Sequence, residues 1–561
     1  MNERVALVNL GYIAIRTSDG LTYNKAYQSA GLCFDIELDP TPINTGHLPI
    51  AKLVRYPEVL RDQAIPHVSG KRFCYVDEET ISWDPLDIED TFALVDKLIQ
   101  RTVNVIASGR WEGEYDGEFI NYWCGHIPLF LLTKAVENHH SLICRELVVI
   151  DSLGEPKREI VVSSDQGLFE QWGNARNGRY EDTNYPAVAI RVSPSMPLGS
   201  KWPPDNFKEL MDWLKKCDHN AHNVLTDRLA NKLRGTNKSK ILCLVSTGND
   251  GDFGWTLQYD HNVAKFFSTM RKGISTKIAS QRLTSKSWLK EMQRVSVQLA
   301  DPEFITTRNL AQGNISFAGC RIALIGAGTI GGFLAKMLVD AGAGTWQGSL
   351  TIFDADVLST DNLGRHVLPV QFVGWLKSSA LVHYLRAIIP YPVDLKAQSN
   401  WCVSNNRLSG FDLVIDATGR EPFSLLLANT FHSFKRQTPS NNTTLVHVWI
   451  DGAGHVVRGL LDTAKPGQAC YGCINEESHP VFSSMDRNVH QIYSQRCGST
   501  YTPYASGTSQ TAAALAQNLA LESLRERPRI TFQQIALTDK AANRRPMKLK
   551  KARICRVTSH V

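Results

Sequence analysis

Residues 321–356 read RIALIGAGTIGGFLAKMLVDAGAGTWQGSLTIFDAD. A four-residue apolar run, 322–325, passes directly into Gly326-Ala327-Gly328 and on to Gly331-Gly332. Beyond the glycines, Phe333, Leu334, Met337, Leu338 and Ala341 recur at helical spacing. A second apolar run, 350–353, stops at Asp354. The pattern predicts strand, glycine turn, helix and strand, with an acid closing the second strand. Upstream, VALVNLGYIAIR, SAGLCFDIEL and LPIAKLVRYP are short strand patterns punctuated by Gly, Pro and Asn. A long amphipathic helix is predicted from about Leu86, its first turn crowded with acids that suit the helix dipole. ELVVIDS and EIVVSS flank LGEPKR as a hairpin, and WPPDNFKELMDWLKKC reads as a turn and a helix. ILCLVST and DFGWTLQYD add strands, with RGTNKSK as a loop. Downstream, LVIDATG is another strand end, VHVWIDGAGHVVRG a strand pair, and an Ala-rich helix follows SQRCGSTYTPYASG.

The chain has 561 residues, enough for two to four domains. Apolar residues make up 43% and charged residues 21%, a balance that fills ordinary cores. The net charge of +6 is spread thinly and gives no reason to expect nucleic acid; the one basic run, MKLKKAR, reads as solvated surface. The N-terminus lacks the basic and apolar regions of a signal peptide, and no apolar stretch reaches a membrane span. The twelve cysteines are scattered apart from one C-x-x-C and are expected to be reduced thiols of a cytoplasmic protein.

Chemistry enters at the glycine turn. Glycines let backbone approach a phosphate, the following helix offers unpaired N–H groups to it, and Asp354 is placed for a ribose hydroxyl. This much also fits a nicotinamide-binding unit. Asp356, Asn362, Arg365, Lys377 and Asp416, at strand ends or on the next helix, shift the balance. Hydride transfer does not need so many charges around a pyrophosphate, whereas activating a carboxylate with ATP does: Arg and Lys meet developing phosphate charge and an Asp holds magnesium.

In this order (glycine loop, D-x-D, N-x-x-R, Lys, and Asp416-Ala-Thr-Gly419) the residues resemble the E1-like, ThiF and MoeB family of adenylating enzymes. The resemblance covers 301–561 and implies a Rossmann-like adenylation domain. It implies that Gly326, Gly328, Gly331, Asp354, Asp356, Asn362, Arg365 and Lys377 hold ATP and that Asp416 holds magnesium. It further implies that Arg308 reaches into a partner subunit's site, so that the enzyme is a homodimer. Cys497 sits at the family's crossover position, where a cysteine takes the acyl group from AMP; Ser499 or Thr500 could carry an oxyester instead. Cys470 and Cys473 supply half a zinc site, and Cys555 with His560 would complete a Cys3His set.

The N-terminal order of strand meander, Tyr56-Pro57, His67, Cys74, Trp83-Asp-Pro85 and helix resembles the ubiquitin-conjugating (E2) fold. Cys74 matches the family's thioester cysteine, a good acyl acceptor and leaving group. The family's His-Pro-Asn is here His67-Val-Ser69, so the oxyanion role is unassigned. Cys124, beside His126, is the rival nucleophile, and Cys33 and Cys144 read as structural. The expected fold class is multidomain α+β and α/β: an E2/UBC-like α+β domain over 1–140, an α/β linker domain over 141–300 that spaces two sites or docks a substrate, and the E1/ThiF-like domain over 301–561.

Together the two halves resemble the E1–E2 fusion proteins of bacterial CBASS antiphage operons, which conjugate the C-terminus of a cGAS-like nucleotidyltransferase to other proteins. The resemblance implies acyl-adenylate formation with ATP and magnesium, thioesters on Cys497 and then Cys74, and ligation to a target lysine. A bacterial ubiquitin-like conjugation system is the alternative within the class. An activator of a sulfur-carrier protein, with the N-terminal half as a docking module, is the alternative outside it.

Overall fold

The computed structural model describes residues 3–558 and 560, apart from 18–19, 62, 112, 116–118, 124, 193–201, 235–237, 249–250, 270–274, 311–314, 475–492 and 497–498. Contacts divide the chain into two units. One is Met1–Ser164 with Arg179–Leu299, and the other is Asp165–Gly178 with Ala300–Val561.

The first unit opens with a helix, α1 (Glu3–Asn9), where a strand is predicted. The four-residue apolar run Val5–Val8 does not distinguish the two periods. Here Ala6 and Leu7 turn inward together, and Gly11, at φ +87°, redirects the chain into β1 (Ile13–Thr17). Strands β2 (Gly20–Ser29), β3 (Leu32–Asp39), β4 (Ile50–Arg55), β5 (Val68–Ser69) and β6 (Arg72–Phe73) complete a sheet ordered β1-β2-β3-β4-β6-β5. Helix α2 (Ile88–Ser108) starts where the sequence predicts: the Asp87 side chain accepts from the Asp90 N–H, and Gly109 ends the helix in the left-handed region. Its inward stripe, Phe92, Val95, Ile99, Val103 and Ile106, meets Tyr23, Phe34, Ile36, Leu53 and Phe73 of the sheet.

The rest of this unit is a closed barrel. Its strands are β7 (Ile127–Leu131), β8 (Ile143–Ile150), β9 (Pro156–Ser163), β10 (Arg179–Arg191), β11 (Lys240–Ser246), β12 (Asp252–Tyr259) and β13 (Leu289–Leu299), in the order β10-β11-β12-β13-β7-β9-β8. The boundary expected at 140 does not hold. Strand β7 lies before it yet pairs in parallel with both β13 and β9. The expected α/β linker is also not one body, because α3 (Gln166–Ala175) groups with the second unit, where Gln171 donates to the carbonyls of Arg386 and Ile389. Helices α4 (Phe207–Cys217), α5 (His219–Arg234), α6 (His261–Thr269) and α7 (Thr276–Leu283) share an apolar core with β11 and β12, built on Leu225, Leu229, Phe253, Trp255 and Phe267.

The second unit begins with α8 (Pro302–Thr307) and then enters β14 (Arg321–Ile325), α9 (Thr329–Asp340), β15 (Ser349–Phe353), α10 (Lys377–Ile388), β16 (Leu395–Gln398), α11 (Asn405–Leu408) and β17 (Leu413–Asp416). Helix α12 (Glu421–Gln437), β18 (Thr444–Asp451) and β19 (Val456–Asp462) follow. A two-stranded pair, β20 (Tyr493–Arg496) and β21 (Ser499–Tyr501), precedes α13 (Ser506–Ser523), β22 (Phe532–Ala536) and β23 (Arg544–Met547). The main sheet runs β16-β15-β14-β17-β18-β19-β22-β23, with the first five strands parallel and the last three pairings antiparallel. Strands buried on both faces read as the continuous apolar runs IALI and LVI. Strand order reverses between β14 and β17, the place where an open parallel sheet leaves a crevice at its carboxyl ends.

Candidate functional site

The glycine turn occupies that crevice. Gly326 sits at φ +96°, where a side chain is strained, and a Cβ there would meet the Ala417 carbonyl at 3.0 Å and the Thr418 nitrogen at 3.1 Å. The ends of β14 and β17 are therefore in backbone contact. Gly331 is fixed by closeness alone: a Cβ would lie 1.8 Å from the Gly326 oxygen. Beside Gly328 the space is open, leaving the start of α9 accessible. Asp354 braces the turn, accepting from the Ala327 N–H at 2.6 Å and the Asp356 N–H at 2.8 Å. His366 braces it from the other side. Its Nδ1 accepts from the Leu368 N–H at 3.1 Å, which leaves Nε2–H to donate to the Ala327 carbonyl at 2.8 Å. Burial holds the His366 pKa below its ordinary value.

The predicted charges converge on this crevice in pairs. Lys377, the buried first residue of α10, places Nζ 3.1 Å from Asp356, whose side chain is 76% exposed. Asn362 is a cap, its amide oxygen accepting from Ser359 N–H and Oγ–H. Arg365 donates from Nη1 to the Thr502 carbonyl at 2.9 Å and lies 4.5 Å from the Tyr504 ring centre, with Nε buried and without a hydrogen-bond partner.

Asp416 requires a correction. The sequence reading assigns it magnesium, but the side chain is buried and its acceptor positions are filled. One oxygen accepts from the Thr418 N–H (3.1 Å) and Oγ–H (2.7 Å), and the other from Ser424 Oγ–H (2.5 Å) and His447 Nδ1–H (2.9 Å). A carboxylate offers about four such positions. Burial pushes its pKa up, but the bonds from His447, Ser424 and Thr418 outweigh that and hold it below the usual value. Asp416 ties β17 to α12 and β18.

Behind this network lies a four-ligand cluster. Cys470 Sγ is 4.0 Å from Cys473 Sγ and 3.4 Å from Cys555 Sγ. His560 Nδ1 is 3.6 Å from Cys470 and Cys473 and 3.2 Å from Cys555. A tetrahedral zinc with Zn–S of about 2.3 Å and Zn–N of about 2.0 Å requires edges of about 3.8 Å between sulfurs and about 3.6 Å between sulfur and nitrogen. The cluster has those dimensions. His560 Nε2 donates to the Gln468 carbonyl at 3.0 Å, which fixes the tautomer and frees Nδ1 as a ligand atom. The Ala552 N–H points at Cys473 Sγ at 3.4 Å, the donor a thiolate needs.

In the first unit, β5 and β6 form a hairpin turning at Gly70, and His67 and Cys74 flank it. The Cys74 N–H donates to the His67 carbonyl at 2.8 Å, and the Cys74 thiol is exposed. His67 takes a left-handed backbone, φ +63°, held by its N–H donating to the Tyr122 hydroxyl at 2.7 Å. Its ring nitrogen Nε2 lies 3.0 Å from Glu114. Ser69 is half-buried on β5. Tyr56-Pro57 follows β4, and Trp83 packs at the core edge. Cys144 is buried, as its structural reading requires, whereas Cys33 is exposed. Arg308, exposed at the end of α8, lies 5.4 Å from the Phe304 ring centre of its own helix. Cys497 and Cys124 lie outside the described residues, as do the side chains of Ser499 and Thr500. His366, His447, Glu114 and Tyr504 are site residues that the sequence reading missed. His366 adjoins Arg365, and His447 and Tyr504 lie in stretches read only for their elements, whereas Glu114 lay near no motif.

Fold and crevice define an adenylating enzyme of the E1 class, and the ThiF family pattern matches residues 304–557. The chain is 31% identical over 506 residues to the ATP-dependent ubiquitin transferase-like protein Cap2 of Escherichia coli (strain TW11681), covering 85% of this chain and 83% of the relative. It is 30% identical over 565 residues to the protein of the same name from Vibrio cholerae serotype O1 (strain ATCC 39315 / El Tor Inaba N16961), covering 95% and 93%. A shorter stretch, 31% of this chain and 34% of the relative, is 27% identical to the adenylyltransferase and sulfurtransferase uba4 of Aspergillus fumigatus (strain CBS 144.89 / FGSC A1163 / CEA10). The chain belongs to the Cap2 family of ATP-dependent ubiquitin transferase-like proteins and is an E1-like, ATP-dependent enzyme. Among the described residues no helix is long and apolar enough to cross a membrane.

Proposed function

We propose that this chain runs a complete E1–E2 relay on a protein C-terminus. A carboxylate oxygen attacks the α-phosphorus of ATP and pyrophosphate leaves. The Cys497 thiolate attacks the acyl carbon and AMP leaves. The Cys74 thiolate exchanges with that thioester, and a target lysine amine displaces Cys74, giving an isopeptide bond and returning a proton. Each exchange replaces one hard condensation with an easier acyl transfer. The observation that carries the reading is a second, exposed thiol, Cys74, whose backbone N–H donates to the His67 carbonyl, in a unit separate from the adenylation crevice.

In this reading Arg365 and Lys377 meet phosphate oxygens, and the glycine turn and α9 take the rest of the nucleotide. The exposed Asp356, rather than Asp416, would hold magnesium, which would neutralise phosphate charge. Cys470, Cys473, Cys555 and His560 would hold zinc, which would tie residues 555–560 to the turn that follows β19. Arg308 acts across a homodimer of the E1-like unit. The activated protein is a cGAS-like nucleotidyltransferase of a CBASS operon, and the target presents a lysine.

Two variants test the order of transfer. Cys497→Ala should still form acyl-adenylate but load neither sulfur. Cys74→Ala should accumulate a reductant-sensitive adduct on Cys497 and make no conjugate, read by intact-mass measurement with proteins encoded beside this gene. A sulfur-carrier activator would keep its activity in Cys74→Ala, and that result would demote the N-terminal unit to a docking module.

A further inference from the structure

The arginine of the adenylation crevice has a partner outside the crevice motifs. Tyr504, just before α13, presents its ring to the Arg365 guanidinium at 4.5 Å. Its hydroxyl lies 3.1 Å from Thr329 Oγ1, on the first residue of α9 after the glycine turn. Its backbone fits against Gly454, in the tight turn between β18 and β19. A Cβ on Gly454, at φ +89°, would come within 2.6 Å of the Tyr504 Cβ. The residue is thus seated on three sides: by a glycine that leaves it room, by the start of the helix facing the nucleotide, and by a cation. Two positions earlier, the Thr502 carbonyl takes one Arg365 N–H, while Arg365 Nε has no hydrogen-bond partner. A guanidinium held at one face and through one Nη1–H is oriented, and because the side chain is only half-buried its other Nη N–H groups remain for an anion.

We propose that Tyr504 is a positioning residue for phosphate binding: it holds Arg365 against its ring and ties that orientation to α9 through Thr329. This deepens the adenylation reading above and rests on Arg365 meeting phosphate. An arginine has four rotatable side-chain bonds, and fixing its plane in advance removes part of the entropy that phosphate binding would otherwise cost. An aromatic ring beneath the guanidinium carbon does so without competing for the N–H donors, since its attraction comes from the ring face. Because the phenol contributes both a face and a hydroxyl, the two roles separate by substitution. Tyr504→Phe keeps the face and loses the Thr329 contact, whereas Tyr504→Leu loses both.

The test is binding of ATP and of adenosine, the latter by competition, to the full chain carrying Tyr504→Leu, Tyr504→Phe, Arg365→Ala or Tyr504→Leu with Arg365→Ala. Tyr504→Leu should weaken ATP about tenfold and leave adenosine within twofold. Tyr504→Phe should weaken ATP no more than about threefold. The double variant should bind ATP as Arg365→Ala does, because Tyr504 acts through the arginine. A structural role alone would weaken adenosine and ATP by the same factor, and that result overturns the proposal. So does a double variant in which the two losses multiply. If wild-type protein binds no ATP, the adenylation reading itself fails. Wild-type ATP affinity with Tyr504→Leu unchanged overturns only the role of Tyr504.

Discussion

Asp416→Ala separates two accounts of the strand end of β17. If the carboxylate held magnesium, the variant would fold like wild type and lose only nucleotide chemistry. The geometry predicts the reverse emphasis. Removing the carboxylate leaves the Nδ1–H of His447 and the hydroxyl of Ser424 without an acceptor, both in positions closed to water. Each orphaned donor costs about 1–3 kcal/mol, toward the upper end where the acceptor removed was a carboxylate. Thr418 reaches water and adds little. The expected loss is therefore about 3–5 kcal/mol, confined to the unfolding transition of the second unit. Asp416→Asn should cost only about 1–2 kcal/mol. Its amide oxygen still serves Thr418, Ser424 can rotate to accept, and His447 can move its proton to Nε2, which has no partner in the native network. Urea unfolding of wild type and both variants, with the two units' transitions fitted separately, measures this. A folded Asp416→Ala within about 1 kcal/mol of wild type would refute the reasoning. The depressed folded pKa sets the pH behaviour: the contribution is full above the ordinary carboxylate value and disappears as pH falls through the folded one, so it is an acid-range effect.

Other outcomes follow from neighbouring groups. Protein purified without chelator should carry about one zinc per chain. Cys555→Ser should lower that content and make the second unit more sensitive to chelation; elemental analysis showing no zinc in the wild type would refute the assignment. Burial depresses the His366 pKa, so the neutral ring is the folded form, and the stability it provides is full above about pH 6.5 and lost as pH falls below that. Thermal melts between pH 7.5 and 5.5 should therefore show a loss in wild type that His366→Gln lacks, and parallel curves would count against it.

The parts of the site legible in sequence are those where residue type alone satisfies a steric or ligand demand. Gly326 and Gly331 could be read because nothing else fits at a left-handed turn or 1.8 Å from a carbonyl. Cys470, Cys473, Cys555 and His560 could be read because few side chains suit zinc. The role of Asp416 was misread because a strand-end acid looks the same whether it faces solvent or a buried histidine. Its partners Ser424 and His447 lie 8 and 31 residues away on other elements. The contact of Glu114 with His67 spans 47 residues and carries no motif. Helix α1 was read as a strand because its run is too short to show a period. The barrel was read as an α/β linker because its strands are buried in part by helices, and a continuous apolar run does not say what covers it.

In the crevice the charges assigned to ATP already have protein partners. Asp354 braces the Ala327 N–H, Arg365 grips Thr502, and Lys377 pairs with Asp356. Nucleotide binding is then an exchange of partners, and a substitution acts on both sides of it. Asp356 is the informative position. Its side chain is solvated while Lys377 is buried, so the pair contributes about 0–1 kcal/mol to stability and Asp356→Asn should fold normally. Without the carboxylate, Lys377 meets phosphate uncontested, so metal-free ATP in EDTA should bind as tightly as in wild type, or up to about fivefold tighter. If Asp356 also ligates magnesium, MgATP should bind about tenfold more weakly, because one carboxylate of the metal's shell is gone. The ratio of the two dissociation constants, measured calorimetrically on the same preparation, cancels any general change in the crevice. A ratio that moves at least tenfold places the metal on Asp356. A ratio equal to that of wild type leaves Asp356 as the counter-ion of Lys377 and nothing more, and magnesium would then be held by ATP and water alone.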